Sequence, residues 1–237
     1  MSVATTAAGA AVRHANTETG SLLLAAAFAF ALAYGLIYFR RPPSPVRTIV
    51  KTCAVTALAG VSLVNAAPWP LTLALVFCAV GDAFLAGDPK RWLPPGLASF
   101  LAGHLTYVAT FVTMILSARN GFAAAGGLPI VNLAVMAVAV LIGGGMLAWL
   151  WKDLGHLRWA VAAYVAAILA MVCTSLALPR LLDGAQYGAL LFFASDGVLS
   201  AQLFKQRFTG LLGQWVVWGC YFLGQVLIVM AFSPLTF

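Results

Sequence analysis

Charge is scarce in this chain. Charged residues make up 8% of its 237 positions, against 63% hydrophobic. Ordinary soluble domains carry about 25% charged residues, so the composition argues against a soluble protein and for an integral membrane one. Histidine is scarcer still: His14 falls in the N-terminal tail and His156 in a connector, leaving His104 alone inside an apolar run. That argues against a three-histidine zinc hydrolase. Cys53, Cys78, Cys173 and Cys220 lie in apolar runs at irregular spacing and read as small buried residues, not metal ligands. No Gly-x-Ser-x-Gly elbow occurs and Ser195 has no histidine beside it, which argues against a serine lipase. Gly143-Gly144-Gly145 follows no strand and precedes no Lys-Ser/Thr, so it is no phosphate loop. Neither a metal nor another cofactor is expected.

What remains is a series of apolar runs. Charge-free stretches bounded by Lys/Arg and Pro/Gly predict eight helices: 21–39, 48–64, 71–86, 96–117, 129–151, 157–178, 186–204 and 214–232. Each approaches the roughly 20 residues a bilayer needs. Ala67-Pro68-Trp69-Pro70, Asp88-Pro89, Pro94-Pro95-Gly96 and Pro179-Arg180 mark the breaks. The expected fold is therefore all-α, a polytopic membrane bundle of eight transmembrane helices, with residues 21–237 as one domain after a flexible tail over 1–20. The first run is followed, not preceded, by Arg40-Arg41, the reverse of a secretory signal, and is expected to be a retained span.

The formal charge of +7 sits at the ends of the runs, as membrane anchors do, and not in a nucleic-acid patch. Arg40, Arg41, Arg47 and Lys51, then Lys90 and Arg91, Lys152 and Arg158, and Lys205 and Arg207 follow the odd-numbered spans. Only Arg13, Arg119 and Arg180 face the other side. Positive residues mark the cytoplasm, so both termini are expected outside, in a multi-pass plasma-membrane protein.

Two of the six acidic residues break the pattern. Asp82 and Asp196 lie inside apolar runs, where a carboxylate costs about 2.5–3.5 kcal/mol on insertion scales and generally faces a cavity. Asp82 is about 6 Å from the cytoplasmic end of its span and Asp196 roughly 13 Å deep, at ~1.5 Å per residue. His104 reaches similar depth, and Lys51 begins the second span. Gln214, Trp218, Tyr221 and Gln225 share one helical face. These residues predict a polar pocket opening inward. Each also has a plainer role: His104, or the Gln/Trp/Tyr stripe, as an interhelical hydrogen bond, Tyr107 as packing, Lys51 as an interfacial anchor.

Gly81-Asp82-Ala83-Phe84-Leu85, Phe100 through Tyr107, Gly188 through Asp196, and Tyr221 through Ile228 resemble, in order and spacing, the motifs of the YhhN-type membrane lysoplasmalogenases. Arg47 and Lys51 resemble the basic start of that family's second span. The resemblance implies an eight-span enzyme that cleaves the vinyl ether bond of lysoplasmalogens to a fatty aldehyde and a glycerophospho-headgroup, with Asp82 and Asp196 catalytic. Such a reaction needs a proton donor to the alkene and a second carboxyl to stabilise the cation or activate water, as in glycoside hydrolysis. Asp196, the deeper, is the expected acid. His104, Tyr107, Ser195, Tyr221 and Gln225 are candidate substrate-binding residues. Lys51, with Arg91, is the expected phosphate contact. The partners expected are a lysophospholipid and membrane lipid. A small proton-coupled transporter is the rival reading, although no half-repeat is visible; a non-catalytic lipid-binding protein is a third.

Overall fold

The computed structural model describes residues 2–118 and 128–233. The described residues form eight long helices and no strand: α1 (Ser2–Ala33), α2 (Pro45–Val64), α3 (Trp69–Leu85), α4 (Pro89–Ser117), α5 (Ile130–Leu150), α6 (Arg158–Leu176), α7 (Asp183–Lys205) and α8 (Leu211–Phe232). All eight expected spans are present. Seven are long and apolar enough to cross a membrane; α3 is apolar but has only 17 residues. Helix α1 continues back into the segment read from sequence as a tail. Arg119, counted above on the sparsely charged side, lies outside the described residues.

Local chemistry sets the helix starts. Ser44 caps α2, its hydroxyl accepting the Arg47 N–H at 3.2 Å, and Pro45 occupies the first turn where its missing N–H costs nothing. Asp183 and Lys205 sit at the ends of α7 that suit their charges, and Gln206 closes that helix in the left-handed conformation at φ 53°. One expected break, Pro94-Pro95-Gly96, is absent. Helix α4 begins at Pro89 and runs through Pro94 and Pro95 in its second turn, where each forfeits the bond to the carbonyl four residues back. Gly143-Gly144-Gly145 stays helical within α5. Helix α1 ends in a π-helical turn, Tyr34–Tyr38, which buries Tyr34. Such turns concentrate at functional sites.

Neighbour contacts close a ring in the order α2, α3, α4, α6, α7, α8 and back to α2. Helix α1 packs outside α2, and α5 outside α6 and α7. Lys205 Nζ binds Asp153 Oδ2 at 2.5 Å, joining the connectors after α7 and α5. Arg47 Nη1 reaches the Ala86 carbonyl at 3.5 Å, joining the start of α2 to the end of α3. These contacts set the basic connectors on common ground in pairs, as the charge pattern requires.

In lipid, helices associate through close packing, since burying apolar surface yields nothing there. The α7–α8 pair shows this best. A Cβ added at Gly188 would lie 2.5 Å from the Gly224 carbonyl oxygen, and one at Gly224 would lie 2.7 Å from that of Gly188. Both glycines are therefore required by backbone-to-backbone approach. Gly188→Ala is expected to destabilise the protein by about 1–3 kcal/mol through overpacking, seen as a lower melting temperature in detergent. Gly219→Ala, where an added Cβ meets nothing within 4 Å, should leave it unchanged or raise it through helix propensity.

Candidate active site

The ring encloses a cavity of about 640 Å³ reached by all eight helices. Its lining is largely apolar, with Arg47, Lys51, Asp82 and Asp196 as its charged groups among the described residues. Arg47, Phe204, Thr209 and Gln214 lie at the end carrying the basic connectors, so the cavity opens towards that face.

Asp82 is almost wholly enclosed, with 2% of its side chain exposed. Its Oδ1 meets Lys51 Nζ at 2.9 Å, and its Oδ2 accepts the Tyr221 hydroxyl at 2.6 Å. Three helices thus converge on one carboxylate. Lys51 is held from its other side by two ring faces, those of Tyr34 and Trp218, each 5.8 Å from Nζ. Trp218 is itself fixed by donating Nε1–H to the Ala31 carbonyl at 3.0 Å. The result is a desolvated ion pair with every partner in place, the condition under which such a pair is tolerable.

Asp196 stands differently. Its Oδ2 accepts the Tyr164 hydroxyl at 2.5 Å and lies 3.9 Å from His104 Nε2. No lysine or arginine salt bridge reaches it among the described residues. The side chain is 15% exposed, more than that of Asp82. Sequence depth therefore ranked the two in the wrong order for burial: depth counts residues along a helix, whereas exposure depends on which way the cavity opens. His104 is fully buried, with Nδ1 2.6 Å from the Phe100 carbonyl. A carbonyl only accepts, so Nδ1 carries the hydrogen and a neutral imidazole presents an Nε2 lone pair. That nitrogen has no hydrogen-bond partner among the described residues, and the carboxyl of Asp196 lies 3.9 Å in front of it.

An aromatic wall links the two carboxyl groups. Tyr221 packs edge-on to Phe192 with centroids 5.0 Å apart, Phe192 to His104 at 4.7 Å, and His104 to Tyr164 at 5.0 Å. The tyrosines at the ends of this chain are the ones that bind the aspartates. Two unlike carboxyl groups thus face one cavity, one beside a fixed ammonium and one beside an imidazole nitrogen.

Of the sequence candidates, Asp82, Asp196, Lys51, Ser195 and Tyr221 line the cavity. The Ser195 hydroxyl is taken by the Val217 carbonyl at 2.8 Å, so it ties α7 to α8. His104 lies behind the lining. Tyr107 and Gln225 are fully buried, outside the lining, and hydrogen-bonded to each other. Of the two basic residues expected at a phosphate, Lys51 is committed to Asp82, and Arg91 lies over the Trp92 ring at 4.8 Å, outside the cavity lining. Tyr164 was missed in the sequence. Its one signal is a phenol amid Ala and Val in the first half of α6, well before the hydroxyls of Thr174 and Ser175 near the helix end, where a buried tyrosine needs a partner.

The model of the YhhN family matches residues 46–232. A lysoplasmalogenase of Mycobacterium bovis is 29% identical over 165 residues, which are 68% of this chain but 59% of that relative, so the match spans less than two thirds of its length. Lysoplasmalogenase TMEM86B of Homo sapiens is 31% identical over 188 residues, 77% of this chain and 74% of its own. Lysoplasmalogenase TMEM86A of Bos taurus is 27% identical over 181 residues, 73% and 68% respectively. No solved structure matches significantly.

The Lys51–Asp82 pair makes a stability prediction independent of any activity. Lys51→Met strands a buried carboxylate and is expected to cost about 3–5 kcal/mol, whereas Lys51→Met with Asp82→Asn together should recover most of that loss. Thermal unfolding of the two single variants and the double variant in detergent measures the coupling.

Proposed function

The chain belongs to the YhhN family, and from that premise we propose that it is a lysoplasmalogenase-like hydrolase that opens the vinyl ether bond of a single-chain lysophospholipid. One observation carries the reading: two carboxyl groups with unlike partners face one apolar cavity. The relatives named lysoplasmalogenase support it. A pocket of this size and lining suits a small amphiphile.

The division of labour follows from the partners. The salt bridge to Lys51 is made by the carboxylate form of Asp82. Asp196 has no such cation among the described residues, and His104 Nε2 at 3.9 Å is too far for a direct hydrogen bond, so nothing near it favours the carboxylate as Lys51 does for Asp82. Asp196 is then the acid. It delivers its proton to the alkene carbon remote from the ether oxygen, forming a C–H bond and leaving positive charge on the C–O unit. Asp82 stabilises that charge, and water attacks the carbon bearing the oxygen while its proton passes to Asp82. Each carboxylate oxygen of Asp82 keeps a second acceptor site beyond its bond to Lys51 or Tyr221, so the group can do this without leaving its partners. The hemiacetal collapses: the bond to the glycerol oxygen breaks, the hydroxyl proton ends on that oxygen, and an aldehyde is released. Exchange with water at the open end restores both carboxyl groups. Mean charge placement puts that opening on the cytoplasmic side, where a lysolipid of the inner leaflet would reach it.

Aldehyde release from a 1-alkenyl lysophospholipid by the purified protein tests the assignment. General acid–base groups contribute roughly 10²–10⁴-fold, so Asp82→Asn and Asp196→Asn should each lower kcat by at least about a hundredfold. Wild-type turnover in either variant, with the fold intact by thermal unfolding, would refute the two-carboxyl mechanism.

A further inference from the structure

We propose that Arg47 is the anchor for the substrate's phosphate, and that it makes the cavity selective for phosphorylated single-chain lipids over their phosphate-free counterparts. The inference rests on the lysolipid reading above and extends it to the headgroup.

Arg47 and Lys51 are the cations of the lining, and only one of them is neutralised. Lys51 is 2.9 Å from Asp82. Arg47 makes no salt bridge among the described residues. Its Nη2 lies 3.4 Å from the Tyr34 hydroxyl and its Nη1 3.5 Å from the Ala86 carbonyl. Both partners are neutral, and both distances exceed the ~2.7–2.9 Å of a charge-assisted bond. Its buried Nε donates to nothing. A guanidinium held in an apolar-walled cavity with a vacant donor and no counter-ion is costly unless an anion completes it.

Position and chemistry name that anion. Arg47 precedes Lys51 by four residues on α2, one turn nearer the cavity's basic end and about 6 Å away along the helix. A phosphodiester meets a guanidinium through parallel hydrogen bonds that a point charge cannot give. The Ser44-capped start of α2 beside Arg47 adds favourable potential for negative charge. With phosphate at Arg47, the three-carbon glycerol backbone reaches inward by about one turn. That sets the ether oxygen beside Lys51 and Asp82, and leaves the hydrocarbon chain for the apolar lining of α5 and α6, where Met146 and Ile168 lie. Arg47 thus fixes which glycerol carbon meets the carboxyl groups.

The test compares 1-alkenyl-glycero-3-phosphate and 1-alkenyl-glycero-3-phosphoethanolamine with 1-alkenylglycerol, which lacks the phosphate of both, on wild type, Arg47→Gln, Arg47→Lys and the remote control Arg158→Gln. Losing a charge-assisted contact should raise KM for both phosphorylated substrates roughly tenfold or more in Arg47→Gln, with kcat little changed. KM for 1-alkenylglycerol should not move, Arg47→Lys should recover part of the loss, and Arg158→Gln should match wild type. An equal loss with and without the phosphate, or no loss on any substrate, overturns the proposal. Binding of lysophosphatidylethanolamine and of monoacylglycerol, read from tryptophan fluorescence, tests the site without turnover. Wild type should favour the phospholipid and Arg47→Gln should lose that preference. If no aldehyde is released from any substrate but this preference holds, the hydrolase reading fails and the phosphate site stands; if the preference is absent, the phosphate site fails.

Discussion

The Lys51–Asp82 ion pair is the constraint around which this bundle is organised. Neither charge is tolerable alone in a hydrocarbon environment, and together they are tolerable only if fully coordinated. That requirement recruits α2 and α3 for the charges, α8 for the Tyr221 hydroxyl, and α1 for the Tyr34 ring and for the carbonyl that fixes Trp218. Half of the helices are therefore committed to one polar contact. The short α3 fits the same logic, since its charged end must remain close to the basic connectors where Arg47 binds the Ala86 carbonyl.

The second carboxyl group is kept different from the first by the way the helices pair. Helix α7 lies so close to α8, through Gly188 and Gly224, that no side chain intervenes at that point. Farther along the same pair, the Ser195 hydroxyl holds α7 to the Val217 carbonyl, and Asp196, the next residue, faces the cavity instead of α8. Its partners come from α6 and α4, which supply Tyr164 and His104, not from the cation-bearing α2. Ring order thus decides electrostatics. Carboxyl groups on opposite arcs of a closed ring acquire unlike neighbours, and unlike neighbours are what acid–base chemistry requires.

The eight helices were legible because lipid imposes a one-dimensional rule: long charge-free runs with positive ends. The aspartates were legible for the same reason, as exceptions to it. Residues whose role depends on lateral neighbours were not. Tyr164 sits in a featureless apolar span, and only the ring order brings its hydroxyl to Asp196. Tyr107 and Gln225 come from motifs that contain site candidates, but they point to each other, outside the lining. Tyr221 and Gln225 share a helix face, and the one turn of about 6 Å between them along α8 separates a residue in the cavity from one behind it. Pro94 and Pro95 misled in the opposite direction: the helix starts earlier, at Pro89, and carries the pair in its second turn at the loss of their two backbone bonds.

Charge balance ties the two halves of the cavity together. With Asp82 ionised and Asp196 holding its proton, the lining carries two cations and one anion, an excess of one positive charge set at Arg47. On the proposed reading, a lipid phosphodiester brings the one negative charge that Arg47 lacks, so binding offsets a desolvation cost instead of adding one. In the proposed mechanism, proton transfer from Asp196 to the alkene would move charge without changing the total: a new carboxylate would face a new oxocarbenium ion in a low-dielectric space where their attraction is strong. Had Asp196 possessed its own lysine, the occupied cavity would hold no acid. Had Asp82 lacked Lys51, the two carboxyl groups would compete for the same proton. The asymmetry of partners is thus the property on which the proposed chemistry depends: one apolar cavity with, among the described residues, a free cation for a lipid phosphate and an unpaired carboxyl to hold a proton.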